Sequence, residues 1–177
     1  IKKNNEKPKG IKVIGNNWGI ACNAIHFIDL VCWLFNTQPI ECKTDKLTSW
    51  KLSKRFGFYD LNGEMEVLFK NNICLELISK DTDNITGVKI YVEFDNNMLE
   101  IDEESGIVKD QMNYYLKKPL NYQSELTKDL IESILINKNC DLTSIKESLL
   151  QHKVLIGALQ ENWNIFNRSL DDKIPIT

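Results

Sequence analysis

The 177-residue sequence is poor in the residues that mark special classes of protein. Its eight glycines and four prolines are too few for a collagen-like or low-complexity chain. Only two arginines, Arg55 and Arg168, occur among 22 basic residues, which face 25 acidic ones for a net charge of −3. With no basic excess and no polybasic tract, neither nucleic acid nor an anionic membrane is expected as a partner. The longest apolar run, from about Ile28 to Phe35, is interrupted by Asp29 and is far too short to cross a bilayer. No signal-peptide pattern opens the chain. Cys22, Cys32, Cys42, Cys74 and Cys140 form no CxxC pair, which argues against a zinc or thioredoxin-like site. Odd in number and widely scattered, they read as reduced thiols in a cytoplasm. Neither GxGxxG nor GxxxxGK[ST] occurs, so the chain lacks a phosphate-binding glycine fingerprint. It begins with Ile rather than Met, and a piece of a longer protein is the expectation.

What remains is an ordinary globular composition, 42% hydrophobic and 27% charged, enough for one domain. Residues 1–9 are polar and end near Pro8, as a linker or frayed terminus would; a single domain is expected over residues 10–177. Ile11 to Ile14 reads as a strand closed by Gly15-Asn16-Asn17. After Gly19 the period changes, and Ile20 to Phe35 reads as a helix apolar over so wide an arc that burial on several sides follows. Asn36 and Pro39 suit its end.

From about Ile40 to Gln111 strict alternation takes over. Met65, Val67 and Phe69 alternate with Glu64, Glu66 and Lys70; Val88, Ile90, Val92 and Phe94 alternate with Lys89, Tyr91 and Glu93. Such a pattern makes half-buried strands with one wet face, here a meander of about four to six, turning at Asn71-Asn72, Asp83-Asn84 and Asn96-Asn97. Tyr91, Phe58, Tyr59 and Leu68 are placed on the open face. Two helices follow: one with a stripe of Leu126, Leu130, Ile131, Ile134 and Leu135, and one over about 143–166. Ser144 and Glu147 form a capping box at the start of the second, and Leu149, Leu150, Val154, Ala158, Leu159 and Trp163 face inward. The predicted class is α+β: a mostly antiparallel, open-faced sheet with helices packed on one face.

Chemistry concentrates at one place. His26 sits in the most apolar helix with Asp29 at i+3 and Asn23 at i−3, all on one face. A His beside a carboxylate in an apolar setting can serve as general acid or base. The alternative is a buried His and Asp satisfying one another or capping nearby backbone. The preceding loop, with Asn17 and Trp18, has the aromatic and amide character that suits a sugar-like ligand. Arg55, beside Lys54, either meets an anionic substrate group or lies on a solvated strand edge. His152 reads as a surface residue, Trp33 and Trp163 as core. No second His or Cys lies at metal-ligand spacing from His26 except Cys22 at i−4, so no metal site is expected.

The stretch Gly19-Ile20-Ala21-Cys22-Asn23-Ala24-Ile25-His26-Phe27-Ile28-Asp29, followed by Trp33-Leu34, resembles the second domain of the glucose–fructose oxidoreductase / inositol dehydrogenase / MocA family, with its G-x(6)-H-x-x-D and W-L pattern. The two closing helices are similar too, and the flavour is that of members associated with surface-polysaccharide sugars. The resemblance implies His26 as acid/base on a substrate hydroxyl, with Asp29 and Asn23 orienting or contacting substrate. Many members carry an Asp four residues before the His; here that position is Cys22. It also implies an NAD or NADP cofactor held by a separate nucleotide-binding (Rossmann) domain. That domain is not present in this chain, so no tight cofactor binding is expected from these residues alone. A homodimer or higher homo-oligomer through the open sheet face is expected. A non-catalytic dimerisation or ligand-sensing module is the competing reading, and a stand-alone hydrolase or isomerase a weaker third.

Overall fold

In the computed structural model the described residues are 8–82, 84, 86–110, 114–117, 123–138, 140, 142–168, 170 and 173–176. The period-two segments form nine strands of one sheet: β1 (Gly10–Asn16), β2 (Pro39–Lys43), β3 (Leu47–Leu52), β4 (Tyr59–Phe69), β5 (Cys74–Lys80), β6 (Val88–Glu93), β7 (Met98–Asp102), β8 (Ile107–Lys109) and β9 (Tyr114–Lys117). Three helices accompany them: α1 (Ile20–Phe35), α2 (Gln123–Leu135) and α3 (Ile145–Asn167). The order across the sheet is β2-β4-β5-β1-β6-β7-β8-β9, with β3 also on β4. β1 lies parallel to β5 and antiparallel to β6; the other pairings are antiparallel. The class is therefore the α+β architecture expected.

Alternation sorts the two faces. Ile11, Val13, Met65, Val67, Phe69, Leu75, Leu77, Ile90 and Val92 are buried toward the helices, each contributing about 1.5–3 kcal/mol where fully enclosed. The opposite face carries charges that register brings into pairs. Lys12, which sits directly across from Glu76, meets its carboxylate at 2.8 Å, and Lys89 meets Glu100 at 3.0 Å. The turn at Asn71-Asn72 is present, with Asn72 in the left-handed region (φ 61°), and Phe94 donates to the Asn97 carbonyl at 2.8 Å. Part of the expected Asp83-Asn84 turn and most of the expected 1–9 linker lie outside the described residues.

α1 buries Ile20, Ala21, Ala24, Phe27, Ile28, Val31 and Cys32, and α3 buries Gln151, Leu155, Leu159 and Trp163. The Ser144 box is formed: its hydroxyl accepts the Glu147 amide (3.3 Å), while Glu147 Oε2 accepts the Ser144 N–H (3.0 Å).

Five local expectations are corrected. Seven strands, β2 to β8, occupy the stretch read as four to six. β2 and β3 share one edge of the long β4, and the three residues of β8 are too few to show alternation. α1 is not enclosed on several sides: His26 is exposed, and Trp33, one heptad further along the same face, is 70% exposed rather than core. The inward face of α3 is rotated, leaving Leu149 and Leu150 mostly outside and Gln151 inside, because α3 packs on α1 and β2 through the Gln151 side. Tyr59 lies on the helix face, its ring 5.0 Å from Trp163, because odd-numbered residues of β4 point there. The α2 stripe forms, but Leu126, Ile131, Ile134 and Leu135 are exposed.

Candidate functional site

The loop from β1 into α1 does the positioning. Asn17 (φ 44°) and Gly19 (φ 77°) both adopt left-handed backbone, so the chain reverses in three residues and delivers Trp18 between them. Trp18 is half-buried. Its Nε1–H donates to the Ile78 carbonyl (2.8 Å) and its ring meets Phe27 edge-on, centroids 5.4 Å apart. The indole lies so close over Gly15 that a Cβ there would stand 2.7 Å from Trp18 Cδ1, which is why the penultimate residue of β1 is glycine. Asn23 holds the loop from the helix side, its Nδ2 donating to the Trp18 carbonyl at 2.7 Å.

Two grooves meet at Trp18. One, of about 460 Å³, is lined by Trp18, Asn23, His26, Phe27, Leu30, Val88, Ile90 and Glu103. The other, of about 430 Å³, runs past Asn17, Gly19, Lys51, Lys54, Arg55 and Asp60. The structure thus brings Trp18, Asn23 and His26 together in one groove and sets Asn17 and Arg55 in its neighbour. Asp29 joins neither. Its Oδ1 accepts from Thr143 Oγ1 (2.6 Å) and Gln151 Nε2 (2.9 Å), so the carboxylate ties α1 to α3 instead of orienting His26.

Sequence reasoning missed a polar network behind the loop. The Asn62 amide bonds both Asn17 (2.8 Å) and the buried Ser79 hydroxyl (2.7 Å), and Asn17 Nδ2 donates to Asp81 at 2.9 Å. Lys51 pairs with Asp81, and these donors hold the Asp81 carboxyl below its ordinary range, Lys51 foremost. The pattern gave no signal, because Asn62 falls in the polar register of β4 with Asp60, Glu64 and Glu66 and is buried only in the fold. Asp60 was missed as well. Its Oδ1 accepts the Ala21 N–H (3.0 Å) at the open end of α1, a capping position.

That cap bears on the dinucleotide implied by the resemblance. A pyrophosphate seats on the free N–H groups of a helix N-terminus behind a glycine turn. Here a carboxylate already occupies that position, with Asp60 Oδ2 about 3.2 Å from where a Gly19 Cβ would lie. The glycine loop of this chain does not fit a dinucleotide. Among the described residues no cluster of His, Cys, Asp and Glu fits a metal ion, and no helix is long and apolar enough to cross a membrane.

No family model and no curated protein matches the sequence. Solved structures do. UDP-N-acetylglucosamine 3-dehydrogenase from Acidithiobacillus ferrooxidans aligns over 86% of this chain and 52% of its own, at a TM-score of 0.60 and 11% identity. Aldose-aldose oxidoreductase from Caulobacter crescentus aligns over 88% and 54%, at 0.59 and 13%. A super-repressor mutant of Gal80p from Saccharomyces cerevisiae aligns over 89% and 56%, at 0.56 and 11%. At such identities the likeness is one of fold, and this chain spans about half the length of the structures it matches.

Proposed function

We propose that this chain is the substrate-binding and oligomerisation domain of an NAD(P)-dependent sugar or nucleotide-sugar oxidoreductase. By resemblance to its relatives, such an enzyme would work in the cytoplasm in making surface-polysaccharide sugars. The observation that carries the reading is His26 exposed on the rim of a groove with Trp18 and Asn23 fixed beside it, in a fold shared with sugar oxidoreductases. There His26 would take or give the proton of a sugar hydroxyl. Arg55, Lys54 and Lys51, across Trp18, would receive an anionic group on the same substrate. NAD or NADP would be held by residues other than these, given Asp60 at the α1 terminus. A second copy would cover the open sheet face, which carries Tyr91, Leu68 and the Lys12–Glu76 pair.

The fold of Gal80p favours a second reading, a non-catalytic ligand-sensing or dimerisation module with His26 as a surface residue. Titration with glucose and UDP-glucose followed by NMR separates the two. Shifts at Asn17, Trp18 and His26 are expected; silence there with both sugars favours the module. Reading the coding DNA upstream of Ile1 gives an independent check, since an in-frame strand–GxGxxG–helix pattern is expected.

A further inference from the structure

We propose that Glu103, on the turn that follows β7, is a substrate-contacting residue of the His26 groove. Its carboxylate takes a hydroxyl of an uncharged sugar ring and turns acidic sugars away. The inference rests on reading that groove as a sugar site, and it names what the groove selects.

Register puts the carboxylate there. β6 and β7 run antiparallel, with Lys89 opposite Asp102, Ile90 opposite Ile101 and Val92 opposite Leu99. Val88, Ile90 and Val92, with Leu99 and Ile101 across from them, belong to the apolar core on the helix face. Glu103 is the next residue of that parity, and its N–H donates to the Val88 carbonyl at 3.2 Å, extending the ladder by one step. A row of apolar side chains therefore ends in an exposed carboxylate, on the face where α1 lies. The acidic neighbours are turned elsewhere. Asp102 Oδ1 accepts the Ser105 N–H at 3.0 Å, and Glu104 lies over Gly87, where a Cβ would stand 2.9 Å from its Oε2. The Gly106 N–H donates to the Asp102 carbonyl at 3.0 Å, so the turn is braced before anything binds.

The groove, of about 460 Å³, has α1 for one wall, with His26 and Leu30, and β6 with the β7–β8 turn for the other, with Ile90 and Glu103. Among the described residues neither the His26 ring nor the Glu103 carboxylate makes a hydrogen bond or ion pair within the chain, and the lining holds no Lys or Arg. Two unengaged polar groups thus face each other across an apolar bed that ends at Trp18 and Phe27. That arrangement suits a ring with C–H faces and hydroxyls around its rim. An ionised carboxylate only accepts, so it bonds a hydroxyl or an ammonium and repels another carboxylate. Lys51, Lys54 and Arg55 give the neighbouring groove the opposite preference. A substrate with one uncharged ring and one anionic group is therefore seated one way round, its ring by His26.

The test is an NMR titration of this chain with D-glucose, protonated D-glucosamine and D-glucuronate. It is read at His26, Leu30 and Ile90, which line this groove and not its neighbour. Millimolar binding of glucose and glucosamine is expected, with glucuronate about fivefold weaker, the size of one exposed charge interaction. Glu103→Gln should bring the three sugars to within about twofold of one another. Glu104→Gln removes the same charge one residue away, on the other parity, and should leave the order as it was. Glucuronate binding as well as glucose, an order that survives Glu103→Gln, or an equal change in Glu104→Gln overturns the proposal and leaves the sugar site standing. Silence at all three residues with every sugar overturns the sugar site itself, and the proposal with it.

Discussion

Asp60 Oδ1 accepts the backbone N–H of Ala21 at 3.0 Å, so the helix that carries His26 is capped by a strand of the sheet rather than by its own loop. The residue at the N-cap itself, Gly19, offers no side chain, and 39 positions of sequence separate the donor from its acceptor.

Removing that carboxylate should loosen the helix start. Asp60→Ala is expected to cost about 1 kcal/mol in urea unfolding, the usual worth of an N-cap, while Asp60→Asn keeps most of it. Equal stability of the Ala variant and the parent would show that water satisfies the Ala21 amide as well.

Asp29 and His26 should part company under mutation. Asp29→Ala leaves the amide of the 2%-exposed Gln151 without its acceptor and should destabilise the fold by about 1–3 kcal/mol. His26→Ala, on an exposed face, should stay within about 0.5 kcal/mol. Chemical denaturation of both variants checks this, and comparable losses would place His26 in the packing of the fold.

Thiol reactivity should follow burial. Burial pushes the Cys42 thiol up to about 12 and that of Cys32 up to about 11, whereas Cys140 is exposed. At pH 7.5 maleimide should label Cys140 first and Cys32 and Cys42 last, as read by mass spectrometry. The Cys32 and Cys42 thiols hold their protons longer folded than unfolded. Their contribution to stability is intact below the ordinary thiol value of 9.0 and falls as pH climbs from there through the folded values.

On the acid side three carboxylates carry the opposite sign. Asp81 is held down by Lys51 and Asn17, Asp102 by the Ser105 N–H, and Glu147 by the Ser144 hydroxyl and amide. Each lies below its ordinary value, 3.8 for the aspartates and 4.5 for the glutamate. Their stabilisation is therefore present above those values and is lost as pH falls through the lower folded ones. The urea midpoint should drop between pH 5 and about pH 3, and Glu147→Gln should flatten part of the drop. A midpoint indifferent to acid would count against all three bonds.

Much of the fold was legible because its causes are local. The alternation of Met65, Val67 and Phe69 with Glu64, Glu66 and Lys70 determined which side of β4 is wet, the Ser144 box marked the start of α3, and the change of period after Gly19 marked α1. Of the candidate site, His26, Asn23 and Trp18 were found because they sit within one turn and loop of each other.

Contacts between distant segments were not legible. Helical spacing put Asp29 beside His26, but spacing cannot say which neighbour wins a carboxylate; Thr143, just before α3, and Gln151, within it, arrive more than a hundred residues later and take it. Trp33 read as core because it falls at an apolar helical position, yet the sheet and α3 cover only one arc of α1 and leave it outside. By itself the sequence determined the periods, the turns and the caps, which depend on residues a few positions apart. Tertiary structure alone decided the cap of α1 by Asp60 and the Asn17–Asn62–Ser79 network. Each depends on which non-local groups the packed sheet brings within 3 Å or so, a distance set by hydrogen-bond geometry that no linear spacing encodes.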